Sequence, residues 1–592
     1  YCYSNKLTSL DVSKNTALTA LHCQNNPLVV LKAASGSINC NAEPLLAFAI
    51  NDKNEFDITA YGGEASKVKI VSGGSIDENG IITLSGNKVT YEYKINDDIT
   101  ITCSIVVGTA INEENFPDEK FRNWILEQNY GQDGALTAEE IAAVTEINVS
   151  NKSISDLTGI EYFTALTSLN CEGNPLTSLD LSKNTALTEL DCSYNKLTSL
   201  DVSKNTALTL FDCSYNQLTS LDVSKNTALT ELDCSYNQLT SLDVSNNTAL
   251  TSLNCDGNQL TSLDVSNNTA LTLLDCSWNQ ITSLDVSKNT ALTKLDCSYN
   301  KLTSLDLSNN TALTWLNCDG NKLTSLDVSK NTALTLLYCS WNQLTSLDVS
   351  KNTALTLLYC SYNQLTSLDV SKNTALIEFN CYSNQLTSLD VSNNTNLTLL
   401  DCHSNKLTSL DLSKNTNLTR FDCTSNDLTS LDLSKNTNLT RLDCSWNQLT
   451  SLDLSKNTAL TELNCSWNQL TSLDVSKNTA LTELNCGVNL LTSLDVSQNT
   501  ALKYLHCYSN RLTTLDIRGN TNVKSLACDD NPLVVLNCGN VTVSNISASP
   551  LSMLEINDAD TFDITKYGGS AENIVSDSIT GGTIDKNGII TP

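Results

Sequence analysis

The chain has 592 residues, with 65 Asp and Glu against 35 Lys and Arg and a formal net charge of -30. The length exceeds one ordinary domain. The charge argues against nucleic acid or an anionic membrane as a partner, because both need a positive surface. No run of about 18 apolar residues occurs, so no membrane insertion is expected.

Residues 1–42 open inside a repeat, Tyr1-Cys2-Tyr3-Ser4-Asn5, and run to Asn26-Pro27-Leu28-Val29-Val30-Leu31. They read as the C-terminal end of a preceding repeat array, so the chain is expected to be a fragment. Residues 43–109 alternate apolar and polar side chains between glycine turns, as in Phe56-Asp57-Ile58-Thr59, Val68-Lys69-Ile70 and Val89–Tyr93. That pattern predicts a small β-sandwich. Residues 110–146 carry an amphipathic stretch with Phe121, Trp124 and Ile125, then Asn129-Tyr130-Gly131-Gln132-Asp133-Gly134 and Glu140. Asn129, Asp133 and Glu140 fall on ligand positions of a Ca²⁺ loop, but Gly131 replaces a ligand and Asn129 the first carboxylate. A structural helical cap is the reading favoured over a working Ca²⁺ site.

Residues 147–540 form an array. From Cys171 to Cys528 a cysteine returns every 21 residues, giving 18 repeats. One unit, Leu229 to Ala249, fits the leucine-rich-repeat pattern L-x-x-L-x-L-x-x-N/C-x-L, with Cys234 in the third apolar slot and Asn237 in the Asn slot. Alternation turns Leu232 and Cys234 inward and Glu231 and Asp233 outward. The second half of each unit is expected to run extended along the convex side, because 21 residues leave no room for a full helix there. The fold class is thus a β-rich solenoid with a parallel sheet on its concave face. Its ladders are Leu, Val and Cys in the core, Asn at the turns (Asn195, Asn205 and their equivalents), and Asp from Asp180 to Asp516. Each Asp is expected to accept from Ser, Thr or backbone donors of the next coil; a cation-binding edge is the alternative. In-register Cys side chains point the same way, which disfavours disulfides. They read as buried thiols, and so much reduced Cys points to a reducing habitat.

Residues 541–592 begin a second sandwich: Phe562-Asp563-Ile564-Thr565 repeats the motif at Phe56, and residues 506–536 align with 1–31.

The 21-residue repeat with its cysteine column, the helical stretch before it and the sandwich after it together resemble the bacterial internalins, in particular the members with a cysteine ladder. The resemblance implies a truncated EF-hand-like cap, immunoglobulin-like sandwiches and a secreted or cell-surface location.

Three columns face outward and vary: three before each Cys, one before, and two after. The column two after Cys holds nine aromatics. The expected ligand-binding residues are Trp278, Tyr299, Trp315, Leu336, Tyr338, Trp341, Leu357, Tyr359 and Tyr362. Stacking of these rings on one another is the plainer alternative. The function expected is non-enzymatic adhesion to a host or neighbour-cell protein or glycan, by a monomer without cofactor. A structural spacer is the alternative. No nucleophile–base pair, phosphate loop or metal cluster stands out, and His22, His403 and His506 are too scattered to suggest zinc.

Overall fold

The computed structural model describes residues 1–592 except 35–38, 43–44, 46, 51–54, 539–540, 542–543, 549–561, 568–582, 585, 588 and 592. It divides into two units, Tyr1–Leu271 and Thr272–Pro592.

The first unit opens with parallel pairs of short strands, Ser9–Val12 with Val30–Ala33 and Ala20–His22 with Asn39–Asn41. Two sheets follow. One runs in the order Phe48–Ile50, Thr100–Val107, Lys88–Lys94, Val68–Ser72; the other is Glu55–Asp57, Ile81–Leu84, Gly74–Ile76. Their inward residues, among them Ile58, Ile82, Tyr91 and Ile105, share one core with Leu21, Leu28 and Leu31 of the opening coil. The buried Tyr91 hydroxyl donates to the Val29 carbonyl at 2.9 Å, which satisfies the one polar atom on that ring.

Two helices precede the coils, α1 (Glu119–Glu127) and α2 (Ala138–Ala143). The Asp118 carboxylate accepts from the Lys120 and Phe121 N–H groups and so caps α1. It also accepts from the backbone and hydroxyl of Ser155 at 2.8 Å, and Lys120 donates to the Ser153 carbonyl. Phe121 and Ile125 of the helix are buried, and these bonds fasten it to Ser153 and Ser155.

From Glu146–Asn148 to Ser252–Asn254 in the first unit, three-residue strands pair in parallel and in register, one per 21 residues after a first step of 22. The second unit repeats this from Leu273–Asp275 to Tyr504–His506, then Ser525–Ala527 and Asn545–Ser547. Each coil buries the middle strand residue, the following Cys and the next Leu. Leu232, Cys234 and Leu239 are at most 2% exposed. This is a leucine-rich-repeat solenoid with a buried cysteine ladder. All 23 cysteines are free. Their thiols also donate weakly along the stack, as Cys192 Sγ does to the Asp212 carbonyl at 3.4 Å.

The Asn ladder joins successive coils. Asn300 Nδ2 donates to the carbonyl of Cys276 in the preceding coil (2.9 Å) and to those of Cys297 and Ser298 in its own. Its Oδ1 accepts the Ile281 N–H at 2.9 Å. A turn that would strand backbone groups in the core is thereby satisfied by one amide.

The second half of each repeat departs from the extended path expected. It folds as consecutive tight turns, with Asn205 N–H donating to the Val202 carbonyl and Leu208 N–H to the Asn205 carbonyl. The Asp column also corrects the expectation. Asp201 accepts the N–H of Ser203, two residues on in its own coil, at 2.8 Å, and its equivalents do the same. The ladder is a column of local Asx turns. The Ser N–H and hydroxyl hold these carboxyls below their ordinary range.

The expected second sandwich lies mostly outside the described residues. Those described include an antiparallel set, Phe562–Asp563, Ile589–Thr591 and Thr583–Ile584.

Candidate binding face

Each strand presents two outward residues. In the second unit Trp315 pairs with Leu336 and Leu336 with Leu357, while Asn317, Tyr338 and Tyr359 form the adjacent column. All five of the predicted site residues here, Trp315, Leu336, Tyr338, Leu357 and Tyr359, are half-buried on the strand face. Tyr338 is the hub, 5.9 Å from the Trp315 ring and 5.3 Å from that of Tyr359, edge-on to the latter. Lys294 covers Trp315 with its ammonium 4.7 Å from the ring centre. The Tyr359 hydroxyl donates to Glu378 at 2.7 Å, and burial followed by that carboxylate raises its pKa.

Trp278, Tyr299, Trp341 and Tyr362 stand elsewhere. Their column follows the strand and takes left-handed backbone, with φ between 49° and 55° at all nine aromatics. L-residues adopt that conformation at a cost of about 1–2 kcal/mol, least for Gly and Asn. Sequence reasoning placed this column on the strand face. The signal against that was present, since the same position carries Gly173, Gly257, Gly320 and Asp530. The turn holds the rings 39–57% exposed and brings each flat against the next. Trp278 stacks on Tyr299 at 4.1 Å, Trp341 on Tyr362 at 3.7 Å, and Trp446 on Trp467 at 3.9 Å. In the first unit Tyr194, Tyr215 and Tyr236 form a triple stack.

Glycines end two of the runs, while Ser383 and Val488 follow Tyr362 and Trp467. A Cβ on Gly257 would come within 3.0 Å of the Tyr236 ring, and one on Gly320 within 2.7 Å of Tyr299. Tyr236 and Tyr299 therefore settle against bare backbone. The predicted residues form a strand-face cluster and separate edge stacks. From Tyr362 the edge contacts continue to Tyr382 (5.1 Å) and His403 (4.1 Å).

Acidic residues flank these rings. In the first unit Glu189, Asp191, Asp212, Glu231 and Asp233 line a groove of about 370 Å³. Burial, with a lesser contribution from Asp233 and Asp191, raises the Asp212 carboxyl above its ordinary range. In the second unit Asp319 is pushed up to about 7 by burial, although it accepts the Ser340 N–H. Arg441 pairs with Glu462 of the next coil at 3.2 Å.

The cap loop engages its carboxylates in other ways. Glu140 closes a capping box, accepting the Thr137 N–H and hydroxyl at 2.9 Å. Asp133 pairs with Lys88, and Asn129 is exposed.

No protein-family model matches the chain. Internalin J of Listeria monocytogenes is 43% identical over 123 residues, 18% of this chain and 13% of that protein's length. The solved functional domain of InlJ from Listeria monocytogenes, which includes a cysteine ladder, is 41% identical with a TM-score of 0.54, covering 63% of this chain and 78% of that one. YopM from Yersinia enterocolitica shares the fold, at 24% identity and a TM-score of 0.55 over 70% of this chain and 88% of its own.

Proposed function

The chain belongs to the internalin family of leucine-rich-repeat proteins, and from that footing we propose that its array is a non-enzymatic docking surface on the bacterial exterior, secreted or surface-attached. The contact region is the concave strand cluster around Trp315, Leu336, Tyr338, Leu357 and Tyr359 with the edge rings Trp278, Tyr299, Trp341 and Tyr362. Its ligand is a protein or glycan of a host or neighbouring cell, and the chain acts as a monomer. No helix among the described residues is long and apolar enough to cross a membrane.

One observation carries the reading. Nine bulky rings are kept exposed in a turn column that elsewhere carries Gly, Ser, Val and Asp on the same backbone. Exposed aromatic area of this kind marks interaction surfaces. Rings also supply apolar area with a polar handle, which suits both ligand classes. The supporting parts follow the same family logic. Residues 110–146 act as an EF-hand-like cap in a structural role, residues 43–109 as an immunoglobulin-like sandwich, and residues 541–592 as the start of another. The array occupies 147–540, and residues 1–42 close an earlier one.

The stacking contacts favour a second reading, a stiff spacer whose rings only brace neighbouring coils. Glycan-array and cell-surface pulldown binding by the full chain separates the two. Docking predicts binding that falls at least tenfold in Trp341→Ala and Tyr359→Ala with folding retained. A spacer binds nothing, and that result removes the docking role.

A further inference from the structure

We propose that Asp401, His403 and Asp422 form a binding site for a divalent transition-metal ion of the zinc class. One ring nitrogen of His403 and one carboxylate oxygen from each aspartate lie within 4.8 Å of one another. The backbone dictates this convergence. Asp401 ends the strand Leu399–Asp401, His403 follows two residues later, and Asp422 is the in-register partner of Asp401 on the next strand. The His403 Nδ1 already lies 2.6 Å from Asp401 Oδ1. Tyr382 stacks on the imidazole at 4.1 Å and 12° and fixes its plane.

A metal of this class sits about 2.0–2.2 Å from nitrogen and oxygen donors. Two donors on one ion are therefore at most roughly 4.4 Å apart, so small rotations of the carboxylates close the set. An imidazole with two carboxylates suits zinc, copper or nickel; calcium and magnesium prefer donor sets of oxygen alone. The surroundings support a cation. Several aspartates of this column take an amide donor from a neighbouring coil, as Asp296 does from Asn317 at 3.1 Å and Asp443 from Asn464 at 2.8 Å. Between Asp401 and Asp422, which face each other one strand apart, the neighbouring group is the imidazole. A dication there would neutralise two stacked carboxylates at once. The His403 and Asp401 side chains are 27% and 21% exposed, so an ion can enter from solvent and keep open positions for further ligands. This inference is independent of the docking role proposed above.

The chain has three histidines, so their imidazole signals are resolvable by NMR. Zn²⁺ is titrated into the reduced, chelator-washed full chain, with calorimetry and ring ¹⁵N shifts as readouts. The expected result is one ion per chain, a shift confined to His403, and affinity at least tenfold weaker in His403→Ala and in Asp422→Asn. Millimolar Ca²⁺ should not compete. Circular dichroism confirms folding of both variants. Four outcomes overturn the site: no uptake, uptake that survives His403→Ala and so belongs to the thiols, displacement by Ca²⁺, or a shift that appears at His22 or His506 instead.

Discussion

A carboxyl group in this chain behaves according to its place in the repeat. On the turn side, Asp201 and its equivalents accept local Ser donors and stay exposed, and their pKa is lowered. At Asp319, one residue after Cys318, burial outweighs a backbone donor and the pKa rises to about 7. The two shifts act on stability in opposite directions. A lowered carboxyl stabilises above its unfolded pKa and loses that contribution as pH falls through the folded value. Asp319 makes the native state bind the extra proton between about pH 4 and 7, so its contribution to stability declines as pH rises across that window. Asp319→Asn should therefore raise stability at pH 8 by about 2 kcal/mol and change little at pH 4. Urea midpoints at the two pH values check this. An unchanged pH 8 midpoint would show that water or a cation solvates the carboxylate in the native chain.

Among the elements, the strands were readable because Leu, Cys and Leu recur at fixed offsets; burial of Leu232 and Cys234 follows from alternation, and Leu239 holds the last apolar slot of the repeat pattern. The turn that carries the aromatics was not readable from Tyr and Trp, whose types carry no preference for positive φ. Gly257 and Gly320 in the same column held that information. The convex Asp column was misassigned because periodicity suggested a bond between coils, whereas the Asp-x-Ser spacing already allowed one within a coil. The cap hides another backbone requirement. A Cβ on Gly131 would lie 2.1 Å from the Ile125 carbonyl oxygen at the end of α1. Gly131→Ala cannot be relieved by a side-chain rotation and should cost at least about 2 kcal/mol. Protease sensitivity of residues 110–146 and loss of helical ellipticity would register it. By contrast, the clash that a Cβ at Gly320 would meet is with the side chain of Tyr299 and not with backbone, and Tyr occupies the equivalent backbone at Tyr299 itself.

For the molecule as a whole, the charge of -30 is distributed in columns, with acidic side chains repeated at about one strand spacing. Such neighbours lie well inside the Debye length of about 10 Å at 0.1 M salt. Raising NaCl from 20 to 500 mM should therefore raise the thermal midpoint by a few degrees, roughly what 1 kcal/mol gives. A midpoint that falls with salt would mean that ion pairs such as Arg441–Glu462 outweigh the repulsion. The repeat register and its cysteine ladder were legible because a period of 21 residues overdetermines them, whereas the turns of the second half were not. The binding face was legible only as a set of outward columns. Which rings meet depends on backbone geometry, and the pairing of Asp401 with His403 depends on a contact across a turn that spacing alone does not reveal.

The amide clamp of each coil, represented by Asn300, has a mechanical consequence. Its bonds reach one coil back, so tension along the chain loads a single clamp at a time. When one gives way, its 21 residues are released, roughly 70 Å of contour, while the coils behind it stay folded. An array built this way is expected to lengthen under pulling in equal steps, which single-molecule force extension of the chain would record.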